Sequence, residues 1–138
     1  HRDLHRVDRR QRQMCIRDRI LIVLTDQTSG FFKEFFQRLR PCHDQEINDF
    51  IRILKEGCGG LFGFFSAHAA NTFGVATFFY FILKRFSKNF KYLFIWAIIV
   101  SYSRIYVGVH FPIDIIFGAF FGIATGYLFS FISNKIHL

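Results

Sequence analysis

The chain has 138 residues, of which 51% are hydrophobic and 20% aromatic, and it carries a net charge of +8. The length suits one domain, the apolar content exceeds that of an ordinary soluble domain, and three cysteines are too few for a disulfide scaffold. The charge does not point to nucleic acid: residues 1–19 hold seven Arg against three Asp, which is half of the excess. The other cations sit in short loops or within motifs, with no base-stacking platform beside a basic stripe.

Residues 1–19 form an Arg-, Gln- and Asp-rich tract without apolar periodicity, beginning with His rather than Met. No apolar run follows within it, so it is not a secretory signal. It is expected to be a leader, either disordered or foreign to the natural protein, and is set apart from a membrane domain over 20–136. From residue 20 an apolar run leads through Thr25 to Gly30 into Phe31, Phe32, Phe35, Phe36 and Leu39 at helical spacing, which predicts a helix closed by Pro41. Its beginning reads as cut short. Residues 42–63 are mixed polar and glycine-rich, with Ile47, Phe50, Ile51 and Leu54 marking a short amphipathic turn in an interfacial loop. Cys42 and Cys58 flank that loop. They are placed to pair if it faces an oxidising compartment, or they are two unrelated small residues.

Three further helices are predicted over 68–83, 92–107 and 112–132, each long enough to cross or nearly cross a bilayer. From Gly57 onward the only acidic residue is Asp114. The fold class is therefore all-α, an integral membrane helical bundle. Pro112 suits the first turn of the last helix. Gly118, Gly122 and Gly126 recur on one of its faces, where small residues let a neighbouring helix approach closely. Nothing in the sequence fixes an oligomeric state. Lys84, Arg85, Lys88 and Lys91 crowd one connection, which the positive-inside tendency assigns to the cytoplasm. By alternation, Arg40, His68, Arg104, His110 and Asp114 then fall together on the opposite, extracytoplasmic side.

Ionisable groups are costly within a membrane, so their convergence points to chemistry. Lys33, Arg40 and Arg104 make an anion site, with Arg offering planar forks that match phosphate oxygens. Ser66, Ala67 and His68 open a helix, where free N–H groups favour an anion and Ser66 also suits a cap. His110 and Asp114 are four residues apart, close enough for the carboxylate to fix the imidazole tautomer and leave the second nitrogen free as nucleophile or base.

The pattern Lys33-x6-Arg40-Pro41, then Phe65-Ser66-Ala67-His68, then Ser103-Arg104-x5-His110-x3-Asp114 resembles the type 2 phosphatidic acid phosphatase family, which shares its site with vanadium haloperoxidases and bacterial acid phosphatases. The resemblance covers residues 20–136. It implies a six-helix membrane fold, of which about four helices are present. It also implies that His110 attacks phosphorus, that Asp114 orients it, and that His68 protonates the leaving oxygen and then activates water. Lys33, Arg40, Ser66, Ala67 and Arg104 would hold the phosphate, without a metal or other cofactor. Two positions depart from the family's usual Pro-Ser-Gly-His: Phe65 and Ala67. If the loop needs glycine's conformation, Ala67 introduces strain of about 1 kcal/mol.

The expected activity is hydrolysis of a lipid phosphate or diphosphate in a bacterial inner membrane, with membrane lipids as the surroundings. Two alternatives stand beside it. One is a vanadate-dependent haloperoxidase, disfavoured because those enzymes are soluble. The other is a non-catalytic membrane protein that retains a phosphate-binding pocket, motivated by Phe65 and Ala67 in the second motif and by the expected absence of the first helices.

Overall fold

The computed structural model describes residues 2–47, 50 and 58–136, with side chains described from residue 11 to 135. Ile51 and Leu54 of the expected amphipathic turn lie outside these. Between Arg2 and Ser29 the chain has no glycine or proline, and Arg and Gln favour helix. The first helix, α1, accordingly runs unbroken from Arg2 to Phe36. It takes in 2–19, the tract expected to be a separate leader, and Arg17 donates a hydrogen bond to the Ser133 hydroxyl on the last helix.

Helix α1 stops at Phe36, ahead of Pro41. Gln37 takes a left-handed conformation, φ 46°, and its N–H bonds the Lys33 carbonyl at 3.0 Å. The next residues pair with a later segment instead of continuing the helix. The Arg40 N–H bonds Leu61 O at 3.0 Å, the Gly63 N–H bonds Arg38 O at 2.8 Å, and Leu39 and Phe62 form an isolated bridge. Pro41 then opens a short 3-10 turn, Pro41–His43.

Helices α2 (Ala67–Leu83), α3 (Leu93–Tyr106) and α4 (Pro112–Ile136) follow, with a 3-10 turn, Lys88–Tyr92, leading into α3. Among the described residues there is no strand beyond the isolated bridge, so the all-α reading holds. The central contact is between α2 and α4, and small residues make it possible. A methyl group added at Gly118 would stand 2.6 Å from Ser66 O, and one at Gly122 or Gly126 would run into the Ala70 or Gly74 carbonyl. The two backbones touch along this stripe, with Ala69, Ala70 and Ala76 buried beside it.

Apart from Leu21, Phe65 and Phe78, which are buried, many large apolar residues point the other way. Ile98, Ile99, Tyr102, Ile116 and Phe120 are all exposed, Phe120 by 77%. A core of small residues inside a greasy exterior is the arrangement of a membrane bundle, where lipid covers the outer face. Among the described helices, the segment Pro112–Lys135 is long and apolar enough to cross a membrane alone. Helix α2 is apolar over 17 residues. Helix α3, with 14 residues, reaches only about 21 Å against a hydrocarbon core of about 30 Å, and the 3-10 turn before it extends its run.

Candidate active site

The end of α1, the beginning of α2, the end of α3 and the beginning of α4 meet at one end of the bundle. From the first comes Lys33, whose Nζ lies 3.4 Å from Ser29 Oγ one turn back. Arg40 is fixed by carbonyls: its Nε donates to Phe62 O at 3.2 Å and its Nη1 to Cys58 O at 3.4 Å. Cys42 and Cys58 are bridged, with Cα atoms 6.2 Å apart, so the covalent tie anchors the segment that holds this guanidinium. Of the two alternatives left open by the sequence, pairing is the one seen. His43 lies beside the bridge with Nε2 3.3 Å from Gly59 O. The sulfurs and this imidazole cluster tightly, but with both sulfurs in the bridge only the imidazole remains as a ligand.

Helix α2 begins with the second motif. Ser66 is fully buried, and its hydroxyl accepts from the Ala69 N–H at 3.5 Å as an N-cap. Its side chain is thus engaged in capping and does not line the cavity described below. Ala67 is the first helical residue, and Gln37 is the only non-glycine with positive φ among the described residues. The strain considered for alanine at this position therefore does not arise. Phe65 packs its ring 5.5 Å from that of Phe32 and 5.1 Å from that of Phe121, joining α1 to α4 behind the motif.

The spacing of the third motif has a local cause. Helix α3 ends with the Gly108 N–H on Ile105 O at 2.9 Å and the Val109 N–H on Arg104 O at 3.2 Å, while Gly108 holds φ 72°. This is a Schellman ending, which needs a left-handed residue and so favours glycine. The reversal brings Arg104 in the last turn of α3 and His110 just before α4 to the same cavity. Arg104 Nε donates to Ser103 Oγ at 3.2 Å.

Lys33, Arg40, Ala67, His68, Arg104 and His110 line that cavity, whose volume is about 300 Å³; Asp26, Cys58, Gly59, Val107 and Val109 complete its wall. The predicted cations and both histidines are brought together. Asp114 sits behind His110, buried, with Oδ2 3.6 Å from Nδ1. That separation exceeds a hydrogen bond, and Nδ1 has no other partner. Asp114 Oδ2 accepts the Phe111 N–H at 3.0 Å, and the Asp114 carbonyl accepts the Ser66 N–H at 3.1 Å, which ties the second and third motifs together.

Burial is the largest influence on His110 and lowers its pKa below the ordinary imidazole value. Asp114 opposes that lowering, while the cationic Arg40 and Lys33 reinforce it. This direction favours the neutral ring. Burial also lowers the pKa of Arg40, with Asp114 opposing; an arginine nonetheless stays charged.

Two residues at the site escaped the sequence reading. Asp26 lines the cavity on the same face of α1 as Lys33, about two turns earlier. Arg38 donates from Nη1 to Asp114 Oδ1 at 3.1 Å, a contact across 76 residues that no local spacing announces.

A bundle that gathers histidines and cations from separate helix ends defines a class, membrane-helix proteins with a cation-lined pocket at one end. The family comparison narrows it: residues 20–137 match the PAP2 superfamily, and the chain belongs to that family. The chain is 40% identical over 121 residues to a lipid A 4'-phosphatase of Bacteroides thetaiotaomicron, covering 85% of this chain and 52% of that protein. It is 39% identical over 109 residues to a lipid A 4'-phosphatase of Porphyromonas gingivalis, covering 77% of this chain and 45% of the relative. The chain thus spans about half the length of the curated relatives it matches. No solved structure matches it.

Proposed function

We propose that the protein hydrolyses a phosphate monoester on a membrane lipid, working at the extracytoplasmic face of a bacterial inner membrane through a phosphohistidine. The observation that carries this reading is the cavity lined by Lys33, Arg40, Arg104, His68 and His110, beside the N-terminus of α2. Backbone N–H groups and the helix dipole at that terminus favour an anion. The proposed orientation rests on Lys84, Arg85, Lys88 and Lys91 at the far end of α2. A disulfide beside the cavity supports it, since such bridges persist in oxidising compartments.

In the proposed reaction the three cations and the N–H groups of α2 hold the phosphoryl oxygens. His110 Nδ1 faces Asp114, which leaves Nε2 to attack phosphorus as the ester P–O bond breaks. His68 gives its proton to the departing oxygen, then takes one from water as that water displaces the histidine from phosphorus. Phosphoryl transfer asks mainly for positioning and charge stabilisation, which this arrangement supplies. Asp114 stabilises the imidazolium that forms, by closing its gap to Nδ1.

The two relatives make the 4'-phosphate of lipid A the first substrate to try, with phosphatidic acid beside it. Phosphate release from both in detergent micelles tests the proposal. His110→Ala is expected to lower the rate by at least about 10³-fold, since no neighbouring group replaces the nucleophile. An unchanged rate would remove His110 from that role.

A further inference from the structure

Asp114 is almost wholly buried, and a buried carboxylate is costly unless paired. Of the cations lining the cavity, Arg40 attracts it through space, but none bonds it: their hydrogen bonds go to carbonyls and hydroxyls. Arg38 is placed differently. It does not line the cavity but lies on the other side of Asp114, with Nη1 3.1 Å from Oδ1. Its guanidinium carbon stands 4.6 Å from the centre of the Phe111 ring, and its own carbonyl accepts the Gly63 N–H at 2.8 Å.

These contacts grip the nucleophile's support from two directions. Phe111 follows His110 directly, and its N–H bonds Asp114 Oδ2, the oxygen that faces the His110 ring. Arg38 holds the opposite oxygen of the same carboxylate and covers the Phe111 ring. Rotation of the Asp114 carboxylate would break one of these two hydrogen bonds. A lysine supplies the charge but not the planar group that stacks on the ring while donating along its edge.

We infer that Arg38 is a positioning residue that holds the Asp114 carboxylate in its orientation, and through it the His110 ring, without touching the substrate. The inference rests on the proposed role of His110 and adds a fourth cation, at an unspecified position of the first motif, to the three that line the cavity. When phosphorylation places positive charge on the imidazole, a carboxylate oxygen must face Nδ1. Arg38, by holding Oδ1, keeps Oδ2 turned that way. With Arg38 gone, the carboxylate is free to turn to another donor, and the ring loses its fixed orientation.

The test compares Arg38→Gln, Arg38→Lys and Arg38→Ala with the parent protein in detergent, using phosphatidic acid micelles as substrate and inorganic phosphate as the binding probe. Loss of a group that orients a reacting ring lowers activity by about 10- to 100-fold. The loss is expected in kcat for Arg38→Gln, with KM and phosphate affinity retained, a smaller loss for Arg38→Lys, and partial recovery of Arg38→Ala by added guanidinium. The nitrogen-15 resonances of the His110 ring should move in Arg38→Gln and stay in place in Arg85→Gln. A retained kcat would overturn the inference, as would a loss confined to KM or phosphate affinity, which would make Arg38 a substrate ligand. A kcat loss with unmoved His110 resonances and no guanidinium rescue would reduce it to a structural role. If the parent protein releases no phosphate from any lipid, the proposed function fails, and the ring resonances alone still decide whether Arg38 governs His110.

Discussion

Both ends of the bundle are rich in cations, and they hold them in different ways. At the end bearing the 84–91 connection four cations lie over rings: Lys84 over Phe81 at 4.6 Å, Arg85 over Phe86 at 4.9 Å, Lys91 over Tyr92 at 5.2 Å, and Lys135 over Phe131 at 4.8 Å. These rings are close in sequence to their cations, so each pair is a local arrangement at the surface. At the other end Arg40 is oriented by two carbonyls from a segment about twenty residues away, and Arg104 by the neighbouring Ser103 hydroxyl. There the charges share one cavity, with only Asp26 added to its wall as a carboxylate. Cationic content alone therefore does not mark a site. Convergence of cations held by neutral acceptors is what the proposed site rests on, because it leaves positive charge that an incoming anion would meet.

The largest effect that separates the two ends should come from removing one cation at each. Arg104→Ala is expected to slow lipid phosphate release by about 10²- to 10³-fold, as loss of one donor to a developing oxyanion does. Lys88→Ala should leave the rate within about twofold, as for a surface change. Equal losses would mean that the cavity's charge acts at long range rather than by contact. Next comes the covalent tie peculiar to the site end. The bridge closes a loop with a sequence separation of 16, and Cys42→Ser should cost about 3 kcal/mol of stability on thermal unfolding in detergent.

The α2–α4 contact carries both ends, and its glycines offer the third comparison. Gly122→Val would drive a side chain into the Ala70 carbonyl and should lower stability by about 1–3 kcal/mol, or more where the helices cannot separate. Gly30→Ala meets nothing within 4 Å and should leave stability unchanged or raise it by up to about 1 kcal/mol, as alanine favours helix. A Gly122→Val protein that melts like the parent would show that the backbones do not touch there.

The smallest effect is the pH response of the site end. His110 has a folded-state pKa below its unfolded value of 6.5. Above 6.5 neither state carries the proton, and below it the unfolded chain takes one up first. Stability is therefore lost as pH falls from 6.5 toward the lowered pKa. Melting temperatures between pH 7.5 and 5 should fall more steeply for the parent than for His110→Gln, and parallel curves would contradict the burial seen for this ring.

Much of this architecture follows from residues whose effect is local. Pro112 opens α4, Ser66 caps α2, and apolar runs at helical spacing give α2, α3 and α4 within a few residues of their observed bounds. The glycine stripe at 118, 122 and 126 announces a close helix contact, and the three-part motif locates the cations and histidines at helix ends. Each of these depends on a single residue's preference or on spacing within one element, which the chain displays directly.

Other features depend on partners far away in sequence. Helix α1 ends at Phe36 because residues 38–40 pair with 61–63, a competition that Pro41 alone does not reveal. Cys42 and Cys58 were equally compatible with a bridge and with two separate thiols until the fold set their Cα atoms 6.2 Å apart. Ser66 has its hydroxyl in the cap rather than in the cavity, Ala67 keeps negative φ, and Arg38 finds Asp114 across 76 residues. The sequence by itself determined that two histidines, Asp114 and three of the cations lie near helix ends that share one side of the bundle. Tertiary structure decided which cations face the cavity and which holds the buried carboxylate, because that choice turns on the distances between chain segments, which residue spacing within one helix does not encode.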